Sequence, residues 1–258
     1  MSVYLMLVRK SIKSQLEYNI STYLLIVGQF IAQMTFILGF FLLFKSLGSI
    51  RGYSFSQELL VYALVNISYT CAEIVGKGIN NLSDLIRQGN LDIYLIRPQP
   101  LLVQIFGSGV EISRIGRLIT SIILLVLAIR KSSIQWDFFR IVALFMIPFG
   151  GITLFLSLYI LFGSLTFFTV NAINISILLM GSGSDCLHYP VDVMNKGVKT
   201  ILTYIFPFAL INYYPFLYVF GKSKDSELVF VPFLSIIFLL IILKFWQYSA
   251  THYSATGS

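Results

Sequence analysis

The chain has 258 residues, of which 57% are hydrophobic and only 11% charged, whereas a soluble domain carries about 25% charged residues. A soluble globule of this length has no interior able to hide so much apolar side chain, so composition excludes a soluble protein and leaves a polytopic membrane protein embedded in a lipid bilayer. The net charge of +7 comes from basic residues scattered in ones and twos, the pattern of juxtamembrane anchoring, and no nucleic-acid partner is expected.

Met1 to Asn19 carries Val3, Leu7, Ile12 and Leu16 at roughly helical spacing, with Arg9, Lys10 and Lys13 mostly on other faces. This predicts an interfacial amphipathic helix over residues 1–19. Its basic residues follow the apolar ones, the reverse of a secretory signal, so insertion is expected to use the first internal span. Tyr23 to Phe44 is an apolar run long enough for a crossing, closed by Lys45 and Arg51. Gly48 to Ser56 reads as a short loop and Leu59 to Val75 as the second span. Glu73 would be a functional candidate at depth; so near the span's end it reads as an interfacial residue within reach of Lys77.

Asn80 to Pro100, NNLSDLIRQGNLDIYLIRPQP, is too polar for lipid and too patterned for a random loop. Leu82, Leu85 and Ile86 stand at i, i+3 and i+4 and make one apolar face, with Asp84 and Arg87 on the others. Asn80 or Asn81 suits the N-terminal cap and Gly89 the C-terminal one, which predicts a helix of about two turns stopped by glycine. Leu91 to Ile96 is apolar with Asp92 embedded, and Arg97-Pro98-Gln99-Pro100 breaks any helix.

Leu101 to Ile129 returns to apolar sequence, but Glu111, Arg114 and Arg117 recur every third residue and are expected to share one helix face. Leu118 to Ile129 is too short to span alone, so this helix should start outside the hydrocarbon and enter near Arg117, whose side chain snorkels. The three polar groups read either as the lining of a pathway or subunit seam, or as an interfacial ion pair with an anchor. Arg130 to Arg140 is a polar loop holding Trp136 as an interface anchor. Ile141 to Val170 is the fourth span, where Pro148, Gly150 and Gly151 predict a kink. Ala172 to Met180, preceded by Asn171, includes Asn174 and is apolar but short. Gly181 to Asp185 breaks it, and Cys186 to Lys199 is polar. Ile201 to Phe220 is apolar but cut by Pro207 and Pro215, which predicts a broken helix or re-entrant hairpin. Leu228 to Tyr248 is the last span. The fold class is all-α: a polytopic membrane protein with six transmembrane helices, seven being the alternative. Lys and Arg divide about evenly between the two sides, so charge does not orient it.

No Walker, GxSxG or HExxH motif occurs. Cys71 and Cys186 have no metal-ligand spacing, and His188 and His252 are far apart, so no catalytic residue, metal or cofactor is expected in this chain. On residues alone, three other classes stay open. One is a membrane-embedded lipid-modifying enzyme, with only Glu111, Asp185, Asp192 and His188 as candidates. Another is an ion-coupled carrier, which would bring an internal repeat and mid-membrane charge. The third is a non-transporting scaffold or immunity protein.

Leu85 to Pro98, LIRQGNLDIYLIRP, resembles the cytosolic loop of type-2 ABC exporter permeases, where a short coupling helix after the second span docks into an ATPase. Tyr189-Pro190 together with Ile205 to Pro215, IFPFALINYYP, resembles the re-entrant region of the same family. The resemblance covers nearly the whole chain. It implies one six-span permease domain over residues 1–258 in a bacterial cytoplasmic membrane, with both termini cytosolic, a cytosolic coupling loop at 80–100 and a re-entrant outer region at 181–220. It also implies a second permease subunit, identical or paralogous, and two ATP-binding-cassette ATPase subunits that carry the ATP and Mg. Leu82, Asp84, Leu85, Ile86, Arg87 and Gly89 would then form the ATPase-docking helix. Leu82, Leu85 and Ile86 would enter an apolar cleft, and Asp84 and Arg87 would set register at its rim. Glu111, Arg114 and Arg117 would line a pathway or subunit seam, and Pro207, Asn212 and Pro215 would shape an outer gate.

Overall fold

A computed structural model describes residues 3–17, 19–49, 52–169, 195, 197 and 200–253. Every described element is helical: α1 (Val3–Glu17), α2 (Asn19–Leu47), α3 (Phe55–Gly76), α4 (Leu82–Arg87), α5 (Leu91–Leu95), α6 (Leu101–Ser108), α7 (Ile115–Lys131), α8 (Phe138–Thr166), α9 (Ala209–Asn212), α10 (Tyr214–Val219) and α11 (Ser235–Thr251). Among the described residues, five stretches are long and apolar enough to cross a membrane: Ile20–Leu47, Phe55–Arg87, Ile112–Lys131, Phe138–Thr166 and Ser226–Thr251. The expected short apolar segment Ala172 to Met180, with Asn171 and Asn174, and the polar stretch holding Asp185, Cys186, His188, Tyr189, Pro190 and Asp192 lie outside the described residues.

The central element is α3. Ser54 caps it reciprocally: its hydroxyl accepts from Gln57 N at 3.4 Å, and its own N–H donates to Gln57 Oε1 at 3.0 Å. Nearly all of α3 is buried, between α7 and α8. Two of its buried polar side chains bond back to the helix's own carbonyls, Ser68 Oγ donating to Leu64 O at 2.7 Å and Asn66 Nδ2 to Tyr62 O at 3.1 Å. α8 runs as one helix through Pro148. The neighbouring glycines are close contact points. A Cβ on Gly150 would lie 2.4 Å from Pro232 Cβ, and one on Gly151 would lie 2.4 Å from Ser68 Oγ.

Two expectations change in the first two helices. α1 packs on α6 through Tyr4, Leu7, Val8, Ser11, Ile12 and Gln15, not through a stripe ending at Leu16, which is exposed. Leu7 and Ile12 of the expected stripe lie on this packed side and Leu16 lies off it. The run from Tyr23 to Phe44 is not uniformly apolar either: Gln29 and Gln33 stand one turn apart, and Gln33 Nε2 donates to Ser121 Oγ at 3.0 Å.

Ile201 to Phe220 is divided as the prolines predict, into a π-turn (Ile201–Ile205), α9 and α10, with Pro215 opening α10. The later pieces are covered by protein, with Phe208, Ala209, Ile211, Asn212, Phe216 and Val219 all buried, whereas Ile201, Tyr204 and Ile205 of the π-turn are exposed. That covering is the condition for interrupted backbone at membrane depth. A 3₁₀ segment (Ser226–Leu234) then leads into α11.

Candidate functional site

The polar stretch does not hang from the bundle as a separate loop helix. α3 passes through a 3₁₀ turn (Lys77–Asn81) directly into α4, and Asn81 makes no side-chain cap. The continuous stretch Phe55–Arg87 has 33 residues, about 50 Å at 1.5 Å per residue. That exceeds a hydrocarbon core of ~30 Å, so its final turns emerge beyond the lipid. The turn is locked by glycine on glycine: a Cβ on Gly109 would lie 2.0 Å from Gly78 Cα, and one on Gly78 would lie 2.3 Å from Ile105 O. Only two bare backbones let the end of α6 meet the end of α3 so closely.

Gly89 stops α4 as its type predicted. Its φ is +68°, and the two reciprocal end bonds are present, Asn90 N to Leu85 O at 2.9 Å and Gly89 N to Ile86 O at 3.2 Å. The apolar face of α4 is used differently from the expectation. Leu82 is fully buried, Ile86 is buried and Leu85 half-buried, packed with Ile79, Leu91, Ile105 and Trp246 of the same chain. Leu82 and Ile86 are therefore covered by the chain's own core, while Leu85 keeps part of its surface open. Because α4 continues α3, its i, i+3, i+4 stripe stays on the side that α8 covers. The outward surface consists of Asp84, Arg87, Gln88 and Gly89, then Ile93, Leu95, Ile96 and Arg97, with Ile96 83% exposed. Gln104 Nε2 pins the following turn by donating to Tyr94 O and Gln99 O, both at 2.9 Å. Tyr253, after α11, faces Asp92, and burial together with that carboxylate raises the phenol's pKa.

Glu111, Arg114 and Arg117 are brought together, but not along one helix. Glu111 is in extended backbone (φ −118°, ψ 111°) between α6 and a 3₁₀ turn (Ile112–Arg114), and its N–H donates to Ile74 O at 3.3 Å. What gathers the three is Glu73 of α3. Its carboxylate lies 3.3 Å from Arg114 Nε and 3.1 Å from Arg117 Nη1. Lys77 pairs with Glu111 rather than with Glu73, and Arg114 Nη2 also lies 3.5 Å from Glu111. Arg117 further donates to Gln29 Oε1 of α2 at 2.8 Å and lies over the Tyr69 ring at 5.6 Å. Gly116 permits this, since a Cβ there would be 2.2 Å from Ile26 O. Burial pushes the Glu111 carboxyl up, but hydrogen bonds from Lys77 and Ser113 and the charge of Arg114 outweigh it and hold the pKa below its usual value. The network thus joins α2, α3, the α6–α7 linker and α7.

The other end of α3 meets the broken segment. Tyr53, just before α3, stacks edge-on against Phe220 at 5.8 Å. Pro215 and the fully buried Asn212 sit here, in pieces that touch α3, α8 and the 3₁₀ segment before α11. Pro207 is half-buried at the break before α9. Tyr218 of α10 is held to the start of α8, its hydroxyl donating to Asp137 Oδ2 at 3.0 Å while Arg140 lies over its ring at 5.5 Å. Glu58, in the first turn of α3, is 1% exposed and neither carboxylate oxygen has a hydrogen-bond partner.

Sequence reasoning passed over Gln29, Glu58 and Tyr218 and underrated Glu73. For Gln29 a signal existed: two glutamines four residues apart in an otherwise apolar span mark an inward edge. The family model described as ABC-2 family transporter protein matches residues 5–257. No curated protein matches the chain significantly.

Proposed function

Because the chain belongs to the ABC-2 transporter family, we propose that it is the membrane-spanning permease subunit of an ATP-driven exporter, powered by separate ATP-binding-cassette ATPase subunits that bind the ATP and Mg. The ATPase docks on the outward surface of α4 and α5, through Asp84, Arg87, Ile93 and Ile96. The observation that carries this reading is the unbroken helical path Phe55–Arg87: the α4–α5 surface follows one end of it, and Tyr53 before the other end meets Phe220 of the broken segment. Leu82 and Ile86 fasten the docking surface to the permease instead of reaching into the ATPase. A push on α4 therefore passes into α3 as a rigid-body movement. In this reading both termini and the α4–α5 surface face the cytosol, and a second permease subunit completes the substrate path. Pro207, Asn212 and Pro215 shape the outer gate of that path.

The test is co-purification with an ATP-binding-cassette ATPase encoded beside this chain. Arg87→Glu with Ile96→Asp should abolish ATPase association while membrane insertion and thermal stability stay at wild-type levels. Leu82→Asp should lower stability itself. Full ATPase retention by the Arg87/Ile96 variant would refute the docking assignment.

A further inference from the structure

Between α1 and the α5–α6 turn lies a cavity of about 350 Å³ that the transport reading leaves without use, several times the ~30 Å³ share of one water. Its wall includes two cations, Lys10 and Arg97, and no carboxylate. Neither cation is ion-paired among the described residues; Arg97 only lies over the Tyr94 ring, at 5.1 Å. Ser11 and Ser108, also in the wall, already donate to Val110 O at 2.9 Å and Ile105 O at 3.0 Å. The donors left over are the Lys10 ammonium, the Arg97 guanidinium and the Ser14 and Tyr94 hydroxyls. Four donors around one cavity, with two positive charges and no acid, describe a receptor for an anion.

The level of the cavity in the bilayer selects the anion. Gln15 lines it, and its carbonyl accepts from Thr22 Oγ1, in the first turn of α2, at 2.6 Å. The outward apolar surface of α2 begins in the same turn as Thr22, with Ile20, Tyr23 and Leu24 exposed by 79%, 61% and 67%. α1 itself turns Leu5, Met6 and Leu16 outward, as a helix lying in the interface does. The cavity therefore opens at the edge of the hydrocarbon, where headgroup phosphates lie. We propose that it seats the phosphate of an anionic phospholipid, held by Lys10 and Arg97, so that a lipid headgroup clamps α1 to the α5–α6 turn.

The test uses the full chain purified in detergent, with lipid retention read by native mass spectrometry and the unfolding midpoint by fluorescence. Phosphatidylglycerol should be retained and should raise the midpoint, whereas phosphatidylcholine should do neither. Lys10→Gln and Arg97→Gln should each weaken phosphatidylglycerol retention about tenfold, the loss of a charge-assisted hydrogen bond to the phosphate. Arg97→Lys should keep part of it, and covers the case in which a neutral variant folds poorly. Arg9→Gln with Lys13→Gln, which removes charge from α1 outside the cavity, should leave retention unchanged. Equal loss in that control would reduce the effect to general surface charge and overturn the site. Equal stabilisation by inorganic phosphate would assign the cavity to a soluble anion. Loss of ATPase association with unchanged lipid retention would assign it to an acidic protein segment. Either result overturns the lipid proposal.

Discussion

Replacing Glu73 with glutamine keeps the shape of the side chain and removes its charge. In the native network two carboxylates, Glu73 and Glu111, face three cations, Lys77, Arg114 and Arg117. After the change Glu111 is the carboxylate left to Lys77 and Arg114, and Arg117 keeps only the neutral Gln29 and the Tyr69 ring. Breaking a buried pair by removing one partner costs about 3–5 kcal/mol. The side chains of Arg114 and Arg117 retain 13% and 21% exposure, so water and snorkelling relieve part of that cost, leaving about 2–3 kcal/mol. Glu111→Gln is the internal comparison. Its pair with Lys77 is 24% and 30% exposed, close to a surface pair worth about 1 kcal/mol or less. Unfolding in lipid nanodiscs should therefore place Glu73→Gln below Glu111→Gln by more than about 1 kcal/mol. Adding Arg117→Gln to Glu73→Gln should cost less than the two single effects together, by about 1–2 kcal/mol. If Glu73→Gln is no worse than Glu111→Gln, or strictly additive with Arg117→Gln, Glu73 does not organise the network.

Four further outcomes are expected. Gly109→Ala should cost about 3 kcal/mol or more, because backbone cannot yield as a side chain can; Gly28→Ala, with no atom within 4 Å of the added carbon, should be neutral or better in the same unfolding assay. Gly89→Ala, at φ +68°, should cost about 1 kcal/mol in that assay, with Gly89→Asn recovering part of it. Glu111 has a depressed carboxyl, so its stabilisation is complete above the unfolded value of about 4.3 and is lost as pH falls through the lower folded value; a pH series of midpoints should show that loss in wild type and a shallower one in Glu111→Gln. Glu58→Gln should leave stability unchanged or raise it, since the carboxylate is buried without a hydrogen bond; a clear loss of midpoint would reveal a partner for it.

The five apolar stretches among the described residues were legible because lipid demands a continuous apolar run, and a run is a one-dimensional property. Facing was less legible because lipid and protein interior are both apolar. The i, i+3, i+4 stripe of Leu82, Leu85 and Ile86 announced a covered face, but the same stripe serves a partner's cleft or the chain's own core; the choice was made by α8 and α11, distant in sequence. The stripe assigned to α1 was half right for the same reason, with Leu7 and Ile12 on the packed side and Leu16 exposed. The every-third-residue spacing of Glu111, Arg114 and Arg117 assumed a helix that the Gly109 contact interrupts. Glu73 and Arg117 are 44 residues apart, and nothing local in the sequence pairs them. Local backbone chemistry was read well, as at Gly89 and Pro215, because glycine and proline act on their own dihedrals.

Under the proposed function, in which an ATPase drives the chain from outside the membrane, the question is where an applied force is released. Leu82 and Leu91 are fully buried beneath the α4–α5 surface, the Gly78–Gly109 contact closes it against α6, and Gln104 holds the Pro98 turn. A surface fixed in this way does not bend locally under load. The force would pass into α3, whose charged end is tied to α2 and α7 by Glu73 and Arg117. Movement is then expected where the backbone ladder is already interrupted: at Pro207, at Tyr213 (φ −123°, ψ −66°) between α9 and α10, and along the 3₁₀ segment that contains Pro232. These breaks lie against α3 and α8, toward the end opposite the docking surface, so a small tilt of a stiff α3 would reach them undiminished. On this argument, changes that soften the Glu73 network should weaken transport while sparing ATPase binding, whereas changes at Arg87 and Ile96 should abolish both.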